Sequence, residues 1–533
     1  MSAFLRHSAR HVYAAVALWI TCALPAAHAA PGDIDATFGT NGQTRIAAEM
    51  STTDAGKGAL IVEADGRVVM AGLCEIAPGG AANRAVCLAR VLIDGAADAT
   101  FGSNGLAIGV IGVADKRVTG LARQADGKYV VSSICEDLTG YYFCVRRFMA
   151  NGSVDTSFGV AGAANLAPPS SSVYAFAYKI SAHRDGTLMV VGLCDVIAER
   201  RICLLRLLSN GQPDPSFGVS GYVRLSLEPT IRGFSNGVEV NLLPNGKVQL
   251  ATLCELTGGA QYCIVQLNAA GALDTTFNSA GPLPGVALNI QTINYNASVS
   301  AMAIRGDGSM LLAVRCSRFS PTAGPIELCL ESFIADGRID TNFGLGGELR
   351  IPPPDPASQP RIPTSSLNPA QLLPLPDGRF LLSGSCGTAA TASPPPCINR
   401  HRADGTLDAT FTPAVFSVVP APYADSSGLG VQPSGKIVMG GVCNAPSTAG
   451  NPLKGFCITR IQAGPFDYAQ CGTDIDGDGA VTVNDSLLLS RAALGFAGSA
   501  VLQSIAFATH AQRNTWPKIR DYLFNQCGMQ VAP

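Results

Sequence analysis

From residue 474 to 485 the chain reads DIDGDGAVTVND, with aspartate at the first, third, fifth and twelfth places and glycine at the sixth. Carboxylates at that spacing converge once the glycine makes a sharp turn, which is what a hard cation needs. Calcium takes about six to eight oxygens. Asp474, Asp476, Asp478 and Asp485 would supply carboxylates, Ala480 its carbonyl, and Thr482 its hydroxyl or a bound water, so calcium is the expected cofactor. An acidic turn without metal is the rival reading, and it leaves the completeness of the pattern unexplained.

A second set of acids directly follows cysteines: Glu75, Glu136, Asp195 and Glu255, with Ser317, Gly387 and Asn444 at the matching later places. These acids could form a ligand rim, or in pairs hydrolyse a glycoside. If each stands on its own sheet, neighbours lie about 10 Å apart, beyond the roughly 5.5 Å of a retaining pair and marginal for an inverting one. Solvated carboxylates accepting loop N–H bonds are the preferred reading, and no catalytic residue is assigned. Gly233-Phe234-Ser235-Asn236-Gly237 has the form of a nucleophile elbow. The repeat described next puts it in a strand, where an elbow cannot operate. Beyond the N-terminal leader the histidines are His183, His401 and His510, none at metal-ligand spacing.

The elements that carry these residues repeat. Copies of one motif begin IDATFGTNG at Ile34, ADATFGSNG at Ala97, VDTSFGVAG at Val154, PDPSFGVSG at Pro213, LDTTFNSAG at Leu273, IDTNFGLGG at Ile339 and LDATF at Leu407. Their phenylalanines, Phe38, Phe101, Phe158, Phe217, Phe277, Phe343 and Phe411, are 57 to 68 residues apart. Between copies lies an apolar alternation broken by a tight turn, as in ADGRVVMAGLC from Ala64 and PNGKVQLATLC from Pro244. Asp-Gly or Asn-Gly between such runs signals a hairpin. Each repeat then holds four short strands, A to D, which suits a β-propeller blade.

The ends decide the closure. The first motif is followed by a D-like strand, Gly42 to Ala47, with no A, B or C before it, and the last repeat supplies A, B and C from Ser427 to Ile461 without D. The expected fold is therefore all-β, a seven-bladed propeller closed by the N-terminal strand, which removes the exposed seam. The cysteines follow the same count. Cys74/Cys87, Cys135/Cys144, Cys194/Cys203, Cys254/Cys263, Cys316/Cys329, Cys386/Cys397 and Cys443/Cys457 each flank a B–C loop, and are expected to staple it. Each staple removes about 2–3 kcal/mol of unfolded-state entropy.

The pattern D-G-x-x-D-x-[ST]-F-G-x-x-G resembles the delta-60 repeat of exported bacterial proteins, and the resemblance spans almost all of residues 31–463. It supports a propeller and says little about a ligand. In each copy the aspartate is expected to cap a turn and the phenylalanine to plug the blade base. The A–B and C–D turns lie on one, stereotyped face. The B–C loops, with 8 to 13 residues between cysteines, and the Pro-rich D–A connections lie on the other, where binding is expected.

The acidic loop and the helical run after it, residues 473–496, resemble one half of a dockerin, a calcium-binding module related to the EF-hand that docks onto cohesin. That resemblance implies a partner-selecting role for Val483 and Asn484, at loop positions ten and eleven. Dockerins carry two such loops, whereas residues 499–526 here read as helix without an aspartate triad. Cys471 and Cys527 bracket the module and are expected to clasp its ends.

Arg6 and Arg10, an apolar stretch from Val12 to Leu24 and Ala27-His28-Ala29 read as a signal peptide over residues 1–29. The propeller is then expected over 30–463 and the small α-helical module over 464–533. Setting Cys22 aside leaves 16 of the 17 cysteines, an even number suited to an oxidising compartment. Without the leader 35 basic residues face 39 acids, a balance that offers nothing to nucleic acid, and no later stretch is apolar enough to span a bilayer. The expected protein is an exported monomer, extracellular, at the cell surface or in the periplasm. Its expected role is binding or scaffolding toward a cohesin-like protein or a glycan. The alternative is a polysaccharide-degrading glycoside hydrolase working on the variable face.

Overall fold

The computed structural model describes residues 30–525 apart from 48–58, 76–83, 110–114, 138–139, 168–174, 195–200, 228–230, 244, 257–258, 289–297, 306, 318–325, 352–370, 376–377, 386–395, 412–413, 416–422, 445–453, 464–473, 479, 495 and 510. The expected leader, Asp195, Gly479, His510, Cys386, Cys471 and Cys527 lie outside the described residues.

Seven four-stranded antiparallel sheets form the propeller. Blades 1 to 6 occupy residues 60–109, 115–166, 175–224, 231–288, 298–351 and 371–415 in simple A-B-C-D order. In blade 7 the strands Tyr423–Val431, Ile437–Asn444 and Lys454–Ile461 are completed by Gln43–Ala47, with Gln43 opposite Thr459 and Ala47 opposite Gly455. The N-terminal strand closes the ring as the repeat count requires.

The middle strands differ from the expected alternation. Strand B of blade 1, Val68–Glu75, is buried at every residue but the last, and Leu188–Cys194 of blade 3 is buried throughout. Each blade packs on a neighbour at both faces, so both sides of a central strand must be apolar. Hydrophobic clusters occupy the spaces between successive blades. One joins Val438 and Phe456 of blade 7 to Met70 and Ala89 of blade 1, and another joins Val130 and Phe143 of blade 2 to Val190 and Leu205 of blade 3. Strand A, lining the centre, is only half-buried in blades 1 and 6.

The A–B hairpins use a three-residue loop. In blade 1 the Gly66 N–H donates to the Glu63 carbonyl at 2.9 Å and Gly66 has φ +86°. That is a turn closed by a left-handed residue, a conformation glycine adopts without strain. The following Arg67 N–H donates to Asp65 Oδ1 at 3.1 Å, which explains the acid before the glycine.

Among the described residues six disulfides join Cys74–Cys87, Cys135–Cys144, Cys194–Cys203, Cys254–Cys263, Cys316–Cys329 and Cys443–Cys457. They are in keeping with an exported chain. The seventh expected staple, Cys386–Cys397, is not among these six, because Cys386 lies outside the described residues. Its other end, Cys397, is disulfide-bonded and fully buried in strand C of blade 6, opposite Gly384. Among the described residues no helix is long and apolar enough to cross a membrane.

The C-terminal module holds helices α1 (Val483–Ala493), α2 (Ser499–Leu502) and α3 (Trp516–Asn525) around its own core of Ile475, Leu488, Ala492, Val501, Trp516, Ile519, Tyr522 and Leu523. The second half is thus broken, where continuous helix was expected. Pro517 has no N–H and is tolerated only in a first helical turn, so α3 has to begin beside it.

Candidate functional site

In the acidic loop, oxygens of Asp474, Asp476 and Asp478 all lie within 4.8 Å of one another. Backbone bonds aim them. Asp474 Oδ1 accepts from the Gly477 N–H at 2.7 Å and the Asp478 N–H at 3.1 Å, and Asp478 Oδ1 accepts from the Ala480 N–H at 2.8 Å. Asp476 is 1 % exposed. Burial raises its pKa, and the like charges of Asp485, Asp478 and Asp474 raise it further. A cation placed among these carboxylates would relieve that repulsion, so the donor set fits calcium.

Asp485 does a different job in this geometry. Its Oδ1 accepts from the backbone of Asp476 at 3.1 Å and also of Ile475, while Oδ2 accepts the Thr482 N–H at 2.8 Å and hydroxyl at 2.9 Å. Thr482 in turn caps α1, its Oγ1 accepting from the Asn484 N–H at 3.2 Å. These bonds outweigh the burial that opposes ionisation, and the Asp485 pKa is lowered. The expected ligands Thr482 and Asp485 therefore also form the capping box that joins loop to helix.

Val483 is 75 % exposed at the start of α1, whereas the Asn484 side chain donates to the Ala506 carbonyl at 3.0 Å. Leu487, Leu494 and Phe496 are exposed, as are Val483 and Val481.

On the stereotyped face of the propeller, each motif has a physical purpose. In blade 1, Asp98 Oδ1 accepts from the Thr100 N–H at 2.9 Å and hydroxyl at 2.6 Å, capping the turn. Its Oδ2 takes the Arg90 Nε at 2.8 Å, Arg90 lies 4.4 Å over the Phe101 ring, and Arg90 Nη1 reaches the Ala150 carbonyl of blade 2 at 2.6 Å. Arg147, Arg206, Arg400 and Arg460 repeat the arrangement with Asp155, Asp214, Asp408 and Asp35. Phe101 is fully buried, and the glycine of the next blade's turn, Gly152, leaves room for it, since a Cβ there would come 3.1 Å from the ring. The motif is thus an interblade clasp, which sets a catalytic role for the aspartates aside. The clasp arginines were missed in the sequence, although each precedes its aspartate by eight residues in blades 1, 2, 3 and 6.

The rim acids on the variable face have separate surroundings. Glu75 ends strand B opposite Arg84. Glu136 is 2.9 Å from Lys116, whose bond lowers its pKa, the wrong direction for a general acid. Glu255 is exposed at the end of its strand, opposite Ala260 and Gly233. The Gly233–Gly237 segment lies in strand A of blade 4, Ile231–Leu242, as the repeat predicts. His183 lies 3.0 Å from Asp185 in a turn, and His401 is buried against Phe380.

Residues 124–158 and 183–217 match the family described as a domain of unknown function (DUF5122) beta-propeller. No curated protein matches the chain. Among solved structures, a polysaccharide lyase is 11 % identical and aligns over 77 % of this chain and 90 % of its own, with a TM-score of 0.45. The α-L-arabinanase of Penicillium chrysogenum, complexed with arabinobiose, is 11 % identical over 64 % of this chain and 93 % of its own, TM-score 0.39. The PQQ-bound aldose sugar dehydrogenase of Streptomyces coelicolor is 15 % identical over 66 % and 97 %, TM-score 0.36.

Proposed function

We propose that this protein is an exported binding or scaffold protein, a rigid propeller joined to a dockerin-like module that calcium completes. The observation that carries this reading is the convergence of Asp474, Asp476 and Asp478 within 4.8 Å, around a buried Asp476 raised in pKa by burial and its like-charged neighbours. Calcium bound there would be held by Asp474, Asp476 and Asp478, the Ala480 carbonyl, and Thr482 and Asp485. It supplies charge neutralisation and so holds the loop against the module's core through Ile475. The exposed Val483 and Leu487 on α1, with Leu494 just past its end, support attachment to a protein partner of cohesin type.

For the propeller, interblade clasps make one face stereotyped and leave the B–C and D–A loops free to vary, which supports ligand recognition there, with glycan the ligand class proposed. A glycan array read with calcium and with EDTA tests both halves. Binding that survives EDTA places recognition on the propeller. The calcium part fails if isothermal titration of the full chain with calcium gives no heat that Asp476→Asn removes.

A further inference from the structure

We infer that Arg513 is the positioning residue of the calcium loop, and that through it the acid-poor second half of the module serves the first half's metal site. This rests on the calcium reading above. Arg513 bonds three consecutive carbonyls of the loop. Its backbone N–H donates to Asp476 at 2.7 Å, Nε to Ile475 at 2.8 Å and Nη2 to Asp474 at 2.7 Å. Beside it the Gln512 N–H reaches the Gly477 carbonyl at 3.4 Å. Fixing those peptide planes fixes the directions in which Asp474 and Asp476 project, and these are two of the three converging carboxylates.

The guanidinium is itself held. It lies over the Tyr522 ring on α3, Cζ 3.9 Å from the centroid. Gly477 lies against it, with φ +72° and a Cβ there only 2.8 Å from Cζ, so glycine at the fourth loop position lets the guanidinium come this close. Arg513 binds carbonyls instead of the carboxylates, so its charge tempers the repulsion of the loop acids without occupying their cage. On the inner side Ile475 packs with Trp516, Ile519, Tyr522 and Leu523. The loop is therefore gripped between Arg513 outside and the α3 core within. Calcium, by ordering positions one to three, tightens α3.

The test uses the exported chain, in which Trp516 is the tryptophan that remains once the expected leader with Trp19 is removed. Calcium affinity is measured by isothermal titration, with Trp516 emission and amide exchange in α3 followed in calcium and in EDTA. The parent is expected to bind calcium with a rise in α3 protection. Arg513→Ala should bind about tenfold or more weakly, the size of effect expected for charge-assisted hydrogen bonds. Its α3 protection should not respond at calcium that saturates the parent. Arg513→Lys keeps the charge but lacks the planar fork that meets the Ile475 and Asp474 carbonyls from two separate nitrogens, and should fall between. If Arg513→Ala does not fold, the lysine variant decides. Parent-like affinity and response in the lysine variant overturn the inference. So does an equal loss of protection in calcium and EDTA, which marks a merely structural role. Should neither the parent nor Asp476→Asn bind calcium, the metal reading itself fails. Should the parent bind and Asp476→Asn not, while Arg513 variants are unaffected, only the present inference falls.

Discussion

Arg460 donates from Nε to Asp35 Oδ2 at 2.7 Å although 425 residues separate them. Arg460 belongs to strand C of blade 7 and Asp35 to the N-terminal motif, so the bond ties the two ends of the propeller. From the same guanidinium Nη1 reaches the Ile93 carbonyl of blade 1 at 2.6 Å. One side chain therefore secures both the N-terminal strand and the neighbouring blade.

Arg460→Ala should destabilise the propeller by about 3 kcal/mol, since removing one partner of a buried pair strands the other, and Lys436 still faces Asp35. Arg206→Ala, whose pair with Asp214 is more exposed and lies within one blade, should cost less. Urea midpoints compare them; equal costs would show that closure adds nothing.

Blade 5 has serine at the clasp position, and Arg305, the residue after strand A (Ser298–Ile304), fills the gap. Its Nη1 lies 3.2 Å from Ser332 Oγ and 3.8 Å from Asp340, and its guanidinium 5.4 Å from the Phe343 centroid. Arg305→Ala should lower stability, and adding Ser332→Arg should recover most of the loss. No recovery in thermal unfolding would mean that the two arginines do not serve one purpose.

Acid should loosen the clasps in a definite window. For Asp35 burial opposes ionisation, but Lys436, Thr37 and Arg460 outweigh it and hold the pKa at about 2; Asp155 is held at about 2 by Ser157, Lys128 and Arg147 against its burial. A folded pKa below the ordinary 3.8 stabilises above that value, and the stability is lost as pH falls from there toward 2. Unfolding followed between pH 5 and 2 at about unit steps should show this slope, reduced in Asp155→Asn.

His401 behaves in the opposite region. It is 3 % exposed, stacks on Phe380 at 5.1 Å, and Nδ1 lies 2.9 Å from the Gly405 carbonyl; burial lowers its pKa below 6.5 despite that bond. The unfolded chain takes up the proton more readily, so stability is lost as pH falls below 6.5. Phenylalanine stands at the matching place in two other blades, Phe148 and Phe333, both buried. His401→Phe should therefore abolish the slope near neutrality without unfolding the blade, as chemical denaturation at several pH values would reveal.

Chelation should weaken the C-terminal module and leave the propeller intact. At free calcium a hundredfold above its dissociation constant the gain is about 2.7 kcal/mol. Calorimetry should show one transition that moves with calcium in the parent and stays fixed in Asp478→Asn.

Much of this protein was legible because it is periodic. The spacing of Phe38 through Phe411, the Asp-Gly turns and the paired cysteines are local patterns that fix blade number and strand order, and closure followed from counting strands, since an unpartnered D strand opens the propeller and the last repeat lacks one. The convergence of Asp474, Asp476 and Asp478 was legible because it depends on residues near one another in the chain. Rim acids such as Glu136 looked equivalent in sequence, but Lys116 comes from a separate strand and pairs with one of them.

What the amino-acid order determined by itself was the repeat and its turns, where backbone preference and glycine act over a few residues. Tertiary structure decided which side chains meet: Arg90 with a carbonyl of the next blade, Arg305 in the place of a missing arginine, His401 in an apolar gap, Arg513 against the loop. Those meetings are set by packing between blades and between halves of a module, across distances along the chain over which no local pattern constrains a side chain's direction.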